Sequence, residues 1–471
     1  LGKSTASRKH LLELRQRLIN AGAPSRIAVF TPSHALAEET AADWRQIGLS
    51  VAVLRGYELT DPQSGTPMCR DIAAVRVALQ AGVDVSSTVC ANAGTVCPFH
   101  VSCLKQENRR EVAAADIIVA PYDALFTGFA TDPGSIGLIV IDEGCWPRAV
   151  QETGGLHVET LAAQPIAGRG GFNSRVSEAS RAADLEAIRH KTMTALLAAG
   201  PGGVSRRDLH KAGLTASECH LASALELRRR RDPGLYPGMP KNLRQAAGAV
   251  AALNETASKL AHLFQTLARM LERDDAQGRL HILPPDRTTG LHEIRITRLA
   301  SVHQNLRGKP VLHLDATLRP EIAGRILPNL EVIGIDAVAS HMTVRLVTGR
   351  FGKTALCEEP RATAEENARR ARHLGDVVDY VRWQALRASP GQTLVITYKS
   401  CEPAFLGIPG VMTAHYNAIA GLDGYKNVSR IILVGRPLPG SSDLAKLAGG
   451  LLGQDIGGRY MSDLKAVRMR D

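Results

Sequence analysis

Short runs of apolar residues, each closed by a polar turn and interleaved with helical spacing, constrain this chain more than any other feature. Arg26-Ile-Ala-Val-Phe30, Val51-Ala-Val-Leu54, Ala115-Asp-Ile-Ile-Val-Ala120 and Leu138-Ile-Val-Ile141 are almost continuous in Val, Ile, Leu and Ala. Strands of that kind are buried on both faces. Helical spacing runs from Leu11 to Ile19 and from Leu36 to Trp44. The alternation predicts an α/β fold built on a parallel sheet. From about residue 165 to 290 the strand signal fades, and Ala, Leu, Arg and Glu recur at helical spacing, as in Leu185 to Leu197 and Ala246 to Leu271. The strand pattern returns at Val311 to Leu314, Thr393 to Thr397 and Arg430 to Val434. At 471 residues the chain is long enough for more than one core.

Two short motifs carry phosphate chemistry. Gly2-Lys3-Ser4-Thr5 matches the end of G-x-x-x-x-G-K-[ST] and precedes a helix. In such a loop backbone amides cradle phosphates, the Lys meets the outer phosphates and the Ser hydroxyl binds Mg²⁺. The tripeptide alone is not diagnostic. Leu138-Ile-Val-Ile-Asp142-Glu143 is a buried strand ending in two acids, which suits Asp142 to hold Mg²⁺ and Glu143 to orient or deprotonate water. The alternative is an acidic pair capping the next turn. Both motifs on one α/β pattern point to an NTPase. The chain opens without Met, which leads us to expect a piece of a longer protein.

Eight cysteines are present, and four fall in one segment as Cys69, Cys90, Cys97 and Cys103. A secreted disulfide scaffold is smaller and denser in Cys, so a local cluster in a long chain points to a metal centre. The spacing is too long for paired C-x₂-C zinc units. It suits an iron–sulfur cluster, which also takes four Cys. Zinc and a set of unliganded core cysteines stay open, with His100 and Cys145 as lesser ligand candidates. A net charge of +11 favours an acidic partner, nucleic acid first. Residues 201–245 hold nine Lys/Arg against four Asp/Glu, including Arg228, Arg229, Arg230 and Arg231. That excess suits a DNA-facing surface, or equally a solvated helix end. No apolar run approaches the ~20 residues that span a bilayer. Trp44 and Trp146 suit base stacking or core, Tyr122 suits packing, and His313 suits a satisfied core position.

The order of these motifs resembles the iron–sulfur superfamily 2 helicases, the XPD/DinG-like group, in a form similar to proteins of phages and mobile elements. GKST is followed by four Cys, then Ala115-Asp-Ile-Ile-Val-Ala-Pro-Tyr122, then Asp142-Glu143-Gly144-Cys145 in place of DEAH. The resemblance extends to Thr31-Pro32-Ser33-His34 (motif Ia), Leu314-Asp315-Ala316-Thr317-Leu318 (motif III, with Asp315 for the usual Ser), Thr393 to Ser400 (motif IV) and Gly421-Leu422-Asp423 (motif V). Gln454 to Arg459 is only a loose echo of motif VI, which we expect beyond Asp471.

The resemblance implies two RecA-like P-loop domains. Residues 1–64 and 104–164 would form the first, 65–103 its iron–sulfur insertion and 165–290 an arch-like helical insertion. Residues 291–340 would return to the first domain, and 341–471 would form the second. It implies ATP-dependent translocation on, and unwinding of, single-stranded or forked DNA in a bacterial or phage-related cytoplasm, with RNA as the alternative track. Lys3, Asp142 and Glu143 would be catalytic. Gly2, Lys3, Ser4, Thr5, Asp142, Gly421 and Asp423 would bind ATP. Ser4 and Asp142 would hold Mg²⁺, and the four Cys a [4Fe–4S] cluster, with Zn²⁺ as the alternative. Thr31, Pro32 and Ser33, with Arg228, Arg229 and Arg230, would meet nucleic acid. Two rivals are a zinc-containing P-loop ATPase that remodels or packages DNA, and a truncated, non-catalytic DNA-binding module.

Overall fold

A computed structural model describes residues 3–129, 131–163, 175–334, 341–416, 423–425 and 427–456. The chain divides into two units, one of residues up to 330 together with those from 440 on, the other of residues 331–439. The architecture is mixed α/β with parallel sheets.

The first unit opens with α1 (Lys3–Asn20), β1 (Arg26–Thr31), α2 (His34–Arg45) and β2 (Val51–Val53). The next segment holds α3 (Ile72–Ala81), a small hairpin of β3 (Ala91–Asn92) and β4 (Thr95–Val96), and α4 (Leu104–Ala114). Then come β5 (Ile117–Pro121), α5 (Asp123–Thr127), β6 (Ile136–Asp142), α6 (Trp146–Ala149) and β7 (Val150–His157). The largely helical stretch follows as α7 (Arg175–Ala199), β8 (Gly202–Gly203), α8 (Arg206–Lys211), α9 (Ala216–Arg228), α10 (Lys241–Glu272) and β9 (Leu280–Ile282). β10 (Glu293–Leu299), β11 (Val311–Leu314) and α11 (Pro320–Ile326) complete this part.

Five strands form one parallel sheet in the order β11-β6-β1-β5-β2. The apolar runs become its interior because both faces are covered. Phe30, Ile139 and Ile141 enter one core, and Ile27, Val29 and Val140 the other. Each such side chain contributes about 1.5–3 kcal/mol when fully buried. Trp44 is in that second core, so its packing role holds and base stacking does not. α1 runs against the sheet: Leu11 is buried, Arg15 pairs with Asp116 just before β5, and Leu18 lies close to Gly137 at the start of β6. The C-terminal half of α1 is therefore at the amino edge of the sheet, and Lys3 at the carboxyl edge.

The stretch expected to be helical also carries a second sheet, antiparallel in the order β7-β10-β9-β8. Helices α7, α9 and α10 share a core with it through Leu196, Cys219, Phe264, Leu280 and Ile296. A fully buried ion pair joins α7 to α9, with Arg189 Nη2 and Glu226 Oε1 2.6 Å apart. α10 has 32 residues and spans about 48 Å, long enough to touch both this core and α3.

The second unit holds α12 (Lys353–Leu356), α13 (Ala364–Ala388), β12 (Thr393–Thr397), β13 (Val411–His415) and β14 (Arg430–Leu433). Its sheet is parallel, in the order β13-β12-β14. Thr363 and Glu366 form a reciprocal cap that starts α13, and Val381, Val395 and Phe405 centre its core. The last described helix, α14 (Ser441–Leu452), was expected in this unit but belongs to the first. The reason is a glycine face. A Cβ on Gly449 would meet the Gly278 carbonyl oxygen at 1.6 Å, and one on Gly450 would meet Thr297 Cγ2 at 2.5 Å. Only hydrogen atoms fit there. Among the described residues no helix is long and apolar enough to cross a membrane.

Gly449→Ala should destabilise the first unit by roughly 1–3 kcal/mol, whereas Gly324→Ala, with open space around it, should be neutral or slightly stabilising. Thermal denaturation of both variants checks this. Burial on α10, with Arg298 and Arg269 nearby, holds the His262 imidazole down at about 4. The unfolded chain therefore binds the extra proton first. Stability is full above about pH 6.5 and falls as pH drops towards 4, by up to about 3 kcal/mol. His262→Gln should flatten that part of a pH–denaturation profile.

Candidate functional site

In a parallel sheet every strand delivers its following loop to the same carboxyl edge, where α/β proteins bind ligands. Here that edge receives Pro32-Ser33-His34 after β1, Tyr122 after β5, Glu143-Gly144-Cys145 after β6 and Asp315-Ala316-Thr317 after β11. The N-terminus of α1 arrives at the same edge, and a helix N-terminus carries backbone N–H groups without intrahelical partners and a partial positive charge. Gly2 lies outside the described residues, as do the side chains of Lys3, Ser4 and Thr5. The backbone of α1 begins at Lys3.

The two acids are held by the neighbouring strand ends. The Tyr122 hydroxyl donates to the Asp142 carbonyl oxygen. Glu143 N donates to the Leu314 carbonyl at 2.8 Å. His313 Nε2 lies 3.1 Å from the Glu143 carbonyl and 3.9 Å from Asp315 Oδ2. Glu143 has φ +70°, a left-handed conformation that costs a non-glycine residue of order 1–3 kcal/mol. The backbone clamp from β11 maintains it. An added methyl on Gly144 would sit 3.2 Å from Asp315 Oδ2, so the motif III position packs directly beside the acidic pair. Asp315 caps its own turn through Thr317 N at 2.7 Å. Burial raises the Tyr122 phenol far above its ordinary value, and Cys145, Asp142, Glu143 and Asp315 add to the effect. Burial pushes the Cys145 thiol up to about 12. Cys145 is an inert core group in the loop after β6, away from the other cysteines.

The four clustered cysteines line one small pocket, together with Tyr57, Phe99, His100 and Gln106. Local structure accounts for the convergence. A turn closed by Met68 N to the Leu59 carbonyl delivers Cys69 just before Asp71, which caps α3. The β3–β4 hairpin turns at Ala93 and Gly94, both with positive φ, and places Cys97 N 2.9 Å from the Cys90 carbonyl. Cys103 caps α4, and the Met68 carbonyl accepts from both Lys105 N at 3.0 Å and Cys103 Sγ at 3.8 Å. All four are free thiols. Burial pushes the Cys69 thiol to about 11, with the other three adding to the rise. Among the described residues no group of three or more His, Cys, Asp and Glu is arranged to hold a metal ion.

The remaining expected residues divide. Thr31 is fully buried, and its hydroxyl donates to the Ser33 carbonyl at 3.1 Å. Ser33 is exposed and caps α2. Arg229 pairs with the buried Glu226, and Arg230 Nη2 donates to the Ala81 and Gly82 carbonyls at the end of α3. Arg230 braces the helical layer against the cysteine segment, while Arg229 stays within that layer, roles the charge count did not indicate. Arg228 is exposed at the end of α9. Gly421 lies outside the described residues, as does the side chain of Asp423.

Sequence reasoning missed the clamp of His313 and Tyr122 on the acidic pair, and also Tyr57, Gln106 and Arg109 at the cysteine pocket. The signal for Gln106 and Arg109 was present: they follow Cys103 at three-residue steps along α4.

No protein-family model and no curated protein matches the sequence. Among solved structures, the chain is similar to S. tokodaii Xpd4 at 12% identity and a TM-score of 0.34, covering 97% of this chain and 82% of that one. What this chain does therefore has to be read from its own residues.

Arg230→Ala should destabilise the protein by roughly 1.5–3 kcal/mol, because two helix-end carbonyls lose a charged donor. Urea denaturation checks this, and faster hydrogen exchange should be confined to α3 and the adjoining end of α9.

Proposed function

We propose that this chain is an ATP-driven nucleic-acid translocase of the XPD/DinG-like iron–sulfur type, with RecA-like units and with single-stranded or forked DNA as its track. The observation that supports it best is the meeting at one sheet edge of the α1 N-terminus, the Asp142-Glu143 pair and the loops after β1 and β11. A helix N-terminus at the same sheet edge as two acids suits a Mg²⁺–nucleotide: amides for phosphate, carboxylate for metal.

In this reading Lys3 and the first amides of α1 hold the outer phosphates, assisted by Gly2 and Thr5. Ser4 and Asp142 hold Mg²⁺, which supplies charge to the phosphate oxygens. Glu143 orients the attacking water and accepts its proton. The left-handed turn clamped to Leu314 would set the direction of that side chain. Gly421 and Asp423 are the further nucleotide-binding residues of this reading. Pro32 and Ser33 would meet the nucleic-acid backbone without reading sequence.

The donor set also fits an iron–sulfur cluster. Four thiols line one pocket beside His100 and Asp71, and the Asp71 carboxylate is engaged by Arg244 and by the start of α3. Four thiolates on a single zinc, each ~2.3 Å from the metal, would have to stand within about 4 Å of one another. A cluster would place each thiolate on a different iron and so accepts sulfurs spaced more widely than a single metal ion does. Cys69, Cys90, Cys97 and Cys103 would hold it, and it would supply a four-point cross-link to this otherwise small segment.

The test is hydrolysis of ATP by the full-length protein, purified without oxygen, with and without single-stranded DNA or RNA. DNA should stimulate turnover. Lys3→Ala and Glu143→Gln should lower kcat by roughly 10²–10⁴-fold, with Glu143→Gln still binding nucleotide. About four irons per chain should be present and lost in Cys97→Ser. Undiminished turnover in both active-site variants would sink the ATPase assignment. One zinc and no iron would sink the cluster assignment.

A further inference from the structure

The cysteine pocket has a cationic flank that ligand spacing does not require. Gln106 and Tyr57 line the pocket together with the four sulfurs. Behind them, the Arg109 guanidinium donates to the hydroxyls of Tyr57 and Ser86 and lies 3.5 Å from the Gln106 carbonyl oxygen. Its centre is 5.6 Å from the centroid of the Tyr57 ring. Lys105 Nζ is 5.4 Å from the same centroid and donates to the Arg55 carbonyl. Lys105 is only 7% exposed. Two cations therefore share one aromatic ring at the wall of a pocket of thiols. Asp84 is the acid that acts on Arg109, but its carboxylate is engaged by Ser87 N and Oγ at 2.8 Å each. Crowding two positive charges here is favourable when the pocket holds net negative charge, as four thiolates around a cluster do.

We propose that Gln106, Arg109 and Tyr57, with Lys105 behind the ring, form an outer shell that offsets the negative charge of the four-cysteine cluster and raises its reduction potential. This rests on the cluster reading above. Gln106 lines the pocket beside Cys90, and Arg109 Nη1 lies 3.5 Å from its carbonyl oxygen, which leaves the amide N–H groups of Gln106 as the donors available to the sulfurs. Hydrogen bonds to sulfur and local charge are the levers by which a protein sets such a potential. Uptake of one electron from an external reductant adds one negative charge and breaks no bond. A nearby cation and an N–H···S bond therefore favour the reduced form.

The experiment is a spectro-electrochemical titration of the anaerobically purified full-length protein, with iron content and the paramagnetic resonance of the reduced form as parallel readouts. Gln106→Leu and Arg109→Gln should each shift the midpoint potential to more negative values at unchanged iron content. Arg109→Lys should return it towards the wild-type value. An unchanged potential in Gln106→Leu and Arg109→Gln, both fully loaded with iron, overturns the proposal and leaves the cluster reading standing. If Arg109→Gln fails to retain iron, Gln106→Leu decides alone. A wild type without iron overturns the cluster reading and this proposal with it.

Discussion

Burial of the central sheet on both faces is the constraint on which the rest of the first unit depends. Strands of Ile, Val and Phe with no wet side cannot present chemistry along their length, so function is confined to their ends. The parallel direction then sends every following loop to the same end. α1 must run back along the sheet to enter β1, and Leu18 beside Gly137 shows that it does. From that single geometric fact, residues separated by more than a hundred positions come to share one edge.

The cysteine segment follows a different logic. It has little regular structure and a small core made by Val75, Ala78, Val89, Leu235 and Met239. Part of that core comes from the helical layer, and Arg244 pairs with Asp71 at 2.8 Å to fasten α10 to the cap of α3. The segment is thus held from outside by α10 and Arg230, and from inside by the Met68 carbonyl. A metal centre here would complete a scaffold whose halves already meet.

Much of this was readable in the residues. The β1, β5, β6 and β12 strands stand where continuous apolar runs stood, because two covered faces leave no ambiguity of period. The antiparallel sheet was not readable: β7 runs Val-Gln-Glu-Thr-Gly-Gly-Leu-His, and β8 is two glycines, so neither carries an apolar signature. The return of α14 to the first unit was equally hidden, since Gly449 and Gly450 read as helix-weakening residues until a partner backbone is seen against them. At the acidic pair, residue types located the two acids but not the clamp, because His313 and Tyr122 act through backbone carbonyls that no side-chain motif records. The run of arginines shows the opposite error, where charge density suggested an outward face and Glu226 and the end of α3 drew two of the side chains inward.

Glycine is the residue that a search for a sturdier chain would place at position 143, since it alone takes the left-handed conformation without penalty. Such a chain would keep the turn, the strand pairing and the core, and it would melt later. It would also lack the Glu143 carboxylate. At this residue backbone comfort and an acidic side chain are exclusive choices, and the sequence carries the acid.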